Sequence, residues 1–260
     1  MTDLLAHVEG IWQSVVTDLP SFTVEVLPRI DSTNTELMRR ARDGLSEPVL
    51  LAAEEQTAGR GRMGKGWHSK AGQSLTFSLA MPLAPADWSG LSLAVGVSLA
   101  ESLHPEVRLK WPNDLWWQQR KLAGILVETA GSGEGAAAAR TVVIGVGINI
   151  ARPADDAVTG SPAAMAPAGL AELHMGITAG EALARVAPAL VRDVLLFERQ
   201  GFAAFAGRFA QRDALRGLPL RLSDGSEGLG AGVDAGGGLL LQTPQGMQTV
   251  TSSEVSVRPC

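Results

Sequence analysis

The chain has 260 residues and a mass of 27.1 kDa, with 45% hydrophobic and 19% charged residues, room for one catalytic-sized domain and at most a small second one. Lys and Arg total 22 against 27 Asp and Glu, a formal net charge of -5, which excludes a global basic field able to hold nucleic acid by counterion release. The one cysteine, Cys260, excludes both a disulfide framework and a cysteine-rich zinc site and points to a reducing compartment.

The first segment carries Asp3 and Glu9 and lacks a basic n-region and a long apolar run, so no secretory signal is expected. No run is apolar enough to span a bilayer, and the expectation is a soluble cytoplasmic protein with no membrane partner. Residues 22–30, FTVEVLPRI, alternate like a half-buried strand. The run TNTELMRRARDG then places Leu37, Met38 and Ala41 at helical spacing, with Asp31 or Ser32 as N-cap and Gly44 at C′. VLLAAEE (49–55) and SLTFSLAMPL (74–83) read as strands, and the five glycines from Gly59 to Gly72 make a loop between them.

LSLAVGVSLAESL (91–103) suits a buried helix, and VRLKWPNDLWW (107–117) a strand running into a Pro-Asn-Asp turn. KLAGILVET (121–129) and TVVIGVGINI (141–150) are two buried strands joined by a Gly/Ala/Ser-rich hairpin tip (130–139). From Ala151 to about Gly180 the composition turns to Ala, Pro, Gly and Asp, a long surface connection. Helices are expected over 181–200, kinked at Pro188, and over 202–213. After Gly217, short alternating segments predict a small β-barrel or meander, with a domain boundary near Leu215. Strands and helices mix without a regular βαβ cadence, so the fold class is α+β with a mixed sheet.

TAGRGRMGKGW (57–67) almost matches three motifs. Gly59, Gly61 and Gly64 give G-x-G-x-x-G, but a strand follows where the dinucleotide fingerprint needs a helix. Gly59, Gly64 and Lys65 give the P-loop spacing, but Gly66 stands where Ser or Thr must hold magnesium. The kinase loop shares the spacing, yet its H-R-D and D-F-G partners are missing. What remains is Arg60, Arg62 and Lys65 interleaved with glycines that expose backbone N–H groups: a polyphosphate-type anion loop, or a solvated basic loop. Lys110, Asn113 and Asp114 at a strand end suit a magnesium-nucleotide site, against the plainer reading of a Pro-Asn turn. Asn149 ends an apolar strand, a position that turn residues also fill.

Taken in order, DSTN (31–34), EEQTAGRGRMGKGW (54–67), KWPND (110–114), KLAGILVE (121–128) and GVGIN (145–149) resemble the biotin protein ligases. The resemblance implies a mixed sheet flanked by helices (1–214), related to class II synthetase and lipoate ligase cores, and a small SH3-like β-barrel (215–260). It implies that biotin is adenylated by ATP with Mg²⁺ and passed to a lysine of a biotin carboxyl carrier protein. Lys121, Arg60, Lys110, Asn113 and Asp114 would then serve the chemistry, with Mg²⁺ near Asn113 and Asp114. Ser32, Thr33, Asn34, Gln56, Gly59, Arg60, Lys121 and Gly124 would hold biotin. Arg60, Gly61, Arg62, Lys65, Trp67, Asn113 and Asn149 would hold ATP and the adenylate. Some relatives carry an N-terminal winged helix, and the twenty residues before the first strand are too few for one, so no DNA partner is expected. Relatives occur as monomers and as homodimers, and the sequence leaves that open. Met63 and Gly66 stand where relatives often have basic residues, so looser retention of the adenylate is expected. On the residues alone, Ser32 reads as a helix cap and Trp67 as a core anchor.

Overall fold

The structure, a computed structural model, describes residues 2–131, 139–153, 166–251 and 257–260. The N-terminal segment is helix α1 (Asp3–Val15), which buries Leu4, Ile11 and Val15 on one face. Strand β1 (Thr23–Leu27) leads to α2 (Thr33–Arg42). Ser32 caps α2 by accepting the Thr35 N–H at 3.3 Å, and Gly44 adopts φ 99° beyond its end, where a side chain would be strained. Strands β2 (Val49–Ala53) and β5 (Ser74–Leu83) flank the glycine-rich segment, which folds into a hairpin of β3 (Gly59–Arg60) and β4 (Gly66–Trp67). Helix α3 (Leu91–Leu103) follows, then β6 (Arg108–Lys110), β7 (Asp114–Trp117), β8 (Arg120–Ala130) and β9 (Arg140–Asn149). The 107–117 segment is thus two antiparallel strands around a turn with a cis Trp111–Pro112 bond.

Among the described residues, seven strands form one sheet in the order β1-β2-β5-β9-β8-β7-β6. The β1–β2 pair is parallel and the others antiparallel, as expected for a mixed sheet. Alternation along β5 explains the layers. Leu75, Phe77, Leu79, Met81 and Leu83 face the main core with α1, α3 and α4 (Ala179–Gln200), each side chain contributing about 1.5–3 kcal/mol on burial. On the opposite face, Ala80, Leu51 and Val143 pack beneath Leu37 and Met38 of α2. Beyond α2 that same face continues as Ser78, Thr76 and Ser74, polar residues on a buried strand.

Helix α4 runs continuously through Pro188, while 202–213 breaks into a 3₁₀ turn (Gly201–Ala204) and α5 (Ala206–Ala210). The expected hairpin tip falls largely on 132–138, outside the described residues, as do 154–165 of the expected surface connection. Residues 166–170 differ from that expectation. Lys121 N–H donates to Ala166 O at 3.1 Å, Ala168 N–H donates to Lys121 O at 2.8 Å, and Ala168 and Leu170 are buried. Small residues here let the backbone lie against β8, a role that composition alone reads as loop. The tail forms β10 (Pro219–Leu222), β11 (Glu227–Val233), β12 (Leu239–Thr243), β13 (Gly246–Val250) and β14 (Val257–Pro259). These strands make an antiparallel sheet with β13 and β14 as its edges, fastened to the rest where Trp111 Nε1–H donates to Gly237 O at 2.9 Å. Among the described residues no helix is long and apolar enough to cross a membrane.

Candidate active site

The open part of the α2 face is a pocket of about 200 Å³. Sheet register builds its floor, because Ser78, Gly145 and Leu126 lie side by side on β5, β9 and β8, as do Thr76, Gly147 and Gly124. The glycines are spatial requirements: a Cβ at Gly145 would overlap the Asn34 amide, and one at Gly147 the Trp67 indole. GVG in the β9 motif therefore marks where two side chains lie flat on a sheet.

The neutral end of the pocket is a buried hydrogen-bonded row. Bonds between segments zip DSTN to the loop segment, with Thr57 N–H donating to Ile30 O and Ala58 N–H to Asp31 O, both at 2.9 Å. This brings Thr33 to Gln56, whose Oε1 accepts from Thr33 N–H at 2.7 Å and lies 3.0 Å from Thr33 Oγ1. Thr33 Oγ1 is 2.8 Å from Ser78 Oγ, which donates to Asn34 Oδ1 at 3.0 Å, and Asn34 Nδ2 donates to Glu128 Oε2 at 2.6 Å. Ser32, Thr33, Asn34 and Gln56 are each at least nine-tenths buried yet line the pocket.

The other end is cationic. Asp114 Oδ1 accepts from Lys121 Nζ at 2.7 Å and its Oδ2 faces Lys110 Nζ at 3.7 Å. Burial would raise the Asp114 carboxyl, but Lys121, Lys110 and Lys65 outweigh it and hold the group below the usual carboxylate range. Asp114 is therefore a fixed anion and a poor proton acceptor at neutral pH. Burial lowers Lys110 despite Asp114, helped by the like charges of Lys121 and Lys65, and burial likewise lowers Arg62. Arg62 reaches Asn113 Oδ1 at 3.4 Å, and Asn113 Nδ2 donates to Ile125 O at 2.8 Å, which fixes the turn on β8. Trp67 covers the floor between the two ends, with Lys121 Nζ 5.8 Å from its ring centroid. Its buried Nε1–H has no partner among the described residues.

A model described as the Biotin/lipoate A/B protein ligase family matches residues 26–149. The bifunctional ligase/repressor BirA of Salmonella typhimurium is 37% identical over 253 residues, 93% of this chain and 76% of that protein. The biotin--[acetyl-CoA-carboxylase] ligase of Paracoccus denitrificans is 36% identical over 241 residues, 88% of this chain and 98% of the relative. The chain belongs to the biotin protein ligases. Among solved structures, the biotin protein ligase from Aquifex aeolicus in complex with biotin and ATP aligns with a TM-score of 0.75 at 28% identity, covering 91% of this chain and 99% of that one.

In this ligase most of the sequence-selected residues meet at one pocket: Ser32, Thr33, Asn34, Gln56, Arg60, Gly61, Arg62, Lys65, Trp67, Lys110, Asn113, Asp114, Lys121 and Gly124 all line it. Gly59 and Asn149 lie outside the lining. Gly59 sits where a Cβ would meet Trp67 O and Gln56 Nε2, so it lets the hairpin close. Asn149 Nδ2 donates to Ala168 O at 3.0 Å and to Lys121 O at 3.3 Å, clasping the backbone that carries Lys121. Sequence reasoning missed Thr76, Ser78 and Glu128. The available signal was alternation: Ser74, Thr76 and Ser78 are polar at every second position of an otherwise buried strand.

The ligase's cationic end costs stability. Lys110 is held below its ordinary pKa, so its charge is unfavourable in the fold at neutral pH, and the cost is relieved as pH rises toward the ordinary lysine value. Asp114 keeps Lys121 if Lys110 is removed. Lys110→Met is therefore expected to raise the thermal midpoint by about 2–4 °C while lowering adenylation, which calorimetric melting and pyrophosphate exchange check in one preparation.

Proposed function

We propose that the chain joins biotin to ATP, forming biotinyl-5′-AMP and pyrophosphate, and then transfers the biotinyl group to a lysine of a biotin carboxyl carrier protein. The observation that carries this reading is a neutral polar subsite adjoining a cationic one. A ureido head offers one carbonyl and two N–H groups, which suit the row Ser32–Thr33–Asn34–Gln56, and the valeryl carboxylate would then reach Lys121.

In the first step a carboxylate oxygen bonds to the α-phosphorus and the bond to the β-phosphate oxygen breaks. Two like unit charges about 4 Å apart at an effective dielectric near 20 repel by about 4 kcal/mol. Lys121 offsets that repulsion from between the two anions, while Arg60, Gly61, Arg62, Lys65 and Lys110 take the phosphates. Asn113 and Asp114 offer oxygen donors to Mg²⁺. Asp114 is the one carboxylate lining the pocket among the described residues, which suits an ion that keeps phosphate and water oxygens as most of its ligands. Magnesium would supply further neutralisation of the phosphates. In the second step the acceptor amine attacks the biotinyl carbonyl carbon, loses a proton, and AMP leaves.

A cavity of about 200 Å³ is small for biotin and ATP together, so the Arg60–Trp67 hairpin and the Trp67 indole shift to admit the nucleotide and then exclude water from the anhydride. Asn149 supports the adenylate site by holding Lys121, and Gly59 supports the biotin site by closing the hairpin. Residues 215–260 act as a small C-terminal domain, held to the catalytic part where Trp111, next to the pocket-lining Pro112, donates to Gly237 O.

Lipoate presents a dithiolane without N–H or carbonyl, which would leave the buried row unpaired. Such sites reject analogues lacking the hydrogen-bonding group by about 10⁴-fold. Pyrophosphate exchange into ATP is expected with biotin, and to be lower by that order with lipoate or octanoate. Equal exchange with lipoate, or none with biotin, overturns the assignment.

A further inference from the structure

Glu128 closes the KLAGILVE motif and has no part in the proposed chemistry. It projects from β8 on the same face as Gly124 and Leu126, by the two-residue period of a strand. Its carboxylate holds two things at once. Oε2 accepts from Asn34 Nδ2 at 2.6 Å inside the pocket wall, and Oε1 accepts from Arg60 Nη2 at 2.9 Å on the glycine-arginine hairpin. Arg60 Nη1 also lies 3.4 Å from Glu128 Oε2 and from Thr35 Oγ1.

A carboxylate only accepts hydrogen bonds, so Glu128 decides which end of the Asn34 amide faces it. With Nδ2 committed to Glu128, Oδ1 faces Ser78, and the single Ser78 proton is committed to Asn34. Ser78 then offers only lone pairs to Thr33, whose one hydroxyl proton is shared between Ser78 Oγ at 2.8 Å and Gln56 Oε1 at 3.0 Å, the oxygen that also accepts from its backbone N–H. One anion at the end of the row thus sets the donor and acceptor sense of Asn34 and Ser78 in the wall that a ureido head would read. The same anion restrains the hairpin through Arg60.

We propose that Glu128 is a positioning residue that sets the hydrogen-bond sense of the biotin-head pocket and tethers the glycine-arginine hairpin over it through Arg60. This rests on the biotin reading above, and head recognition and hairpin position become coupled through one side chain.

Calorimetric titration of biotin without ATP, on the wild type, Glu128→Gln, Arg60→Gln and the double variant, tests the coupling. Glu128→Gln is expected to weaken binding about tenfold, the scale of one charge-assisted hydrogen bond. The double variant should then bind within about twofold of the weaker single one, because both changes cut the same link. Glu128→Asp, which keeps the charge, should recover most of the loss. Unchanged affinity in Glu128→Gln, or fully multiplicative losses in the double variant, overturns the proposal.

A second measurement needs no ligand. Trypsin cleavage after Arg62 and Lys65 should be several-fold faster in Glu128→Gln and Arg60→Gln than in the wild type, and equal rates overturn the tether. If Glu128→Gln does not fold, Arg60→Gln and Glu128→Asp carry both assays. Absence of biotin binding by the wild type would sink the functional reading instead, while the cleavage rates still decide the tether.

Discussion

Lys121→Met is expected to reduce biotin-dependent pyrophosphate exchange by about 10²–10³-fold, the cost of removing one preorganised charge from a reacting centre. Methionine keeps most of the stem and removes the ammonium that lies 2.7 Å from Asp114 beside the Gly124 floor. Biotin affinity should fall far less, because the buried polar row is untouched. Lys121→Arg should not restore exchange, since a planar fork cannot occupy the place of a compact ammonium against Gly124 and Trp67. The same substitution has a pH signature. Asp114 titrates below its ordinary value, so its contribution to stability is full above about pH 4 and is lost as pH falls through its folded pKa. Without Lys121 the burial that raises this carboxyl is opposed mainly by Lys110, so acid unfolding should begin at a higher pH than in the wild type. An unshifted acid limb together with near-normal exchange would remove Lys121 from its assigned place.

Much of this site was legible because local signals coincide with tertiary ones. The Ser32 cap and Gly44 stop of α2 follow from the chain alone, and so do the buried runs of β8 and β9. Nothing after Gly64 favours a helix, so the glycine-arginine segment reads as a loop between strands, and it is a short hairpin. What stayed hidden depends on register between distant strands. Ser78 and Glu128 become neighbours of Asn34 only when β5, β9 and β8 align, and no local pattern fixes that alignment. The backbone of 166–168 is another case, since its partners are main-chain groups of Lys121 and sequence carries no mark of them. The apparent choice for Ser32 between cap and site residue is dissolved by geometry: capping α2 is what brings Ser32 to the pocket.

Gly145→Val should abolish measurable biotin binding, a loss of at least about 10²-fold, because overpacking here acts on several buried hydrogen bonds at once. A Cβ at this position meets Asn34 Oδ1, the atom that accepts from Ser78, and the opposite end of that amide is held by Glu128. Asn34 can relieve the overlap only by leaving both partners or by moving the first turn of α2. Either movement carries Thr33 away from Gln56 and breaks the row. Stability should fall by about 1–3 kcal/mol, the usual range for an inserted side chain. Gly147→Val gives the contrasting outcome. Its Cβ meets the Trp67 indole rather than Asn34, so the biotin row survives while the cover over the floor is displaced. Biotin affinity should then fall modestly in Gly147→Val while retention of the adenylate is lost, measured as biotinyl-AMP hydrolysis in the absence of acceptor. If the two variants instead lose biotin and adenylate in equal measure, the division of this floor into a biotin-head half and a nucleotide half is wrong.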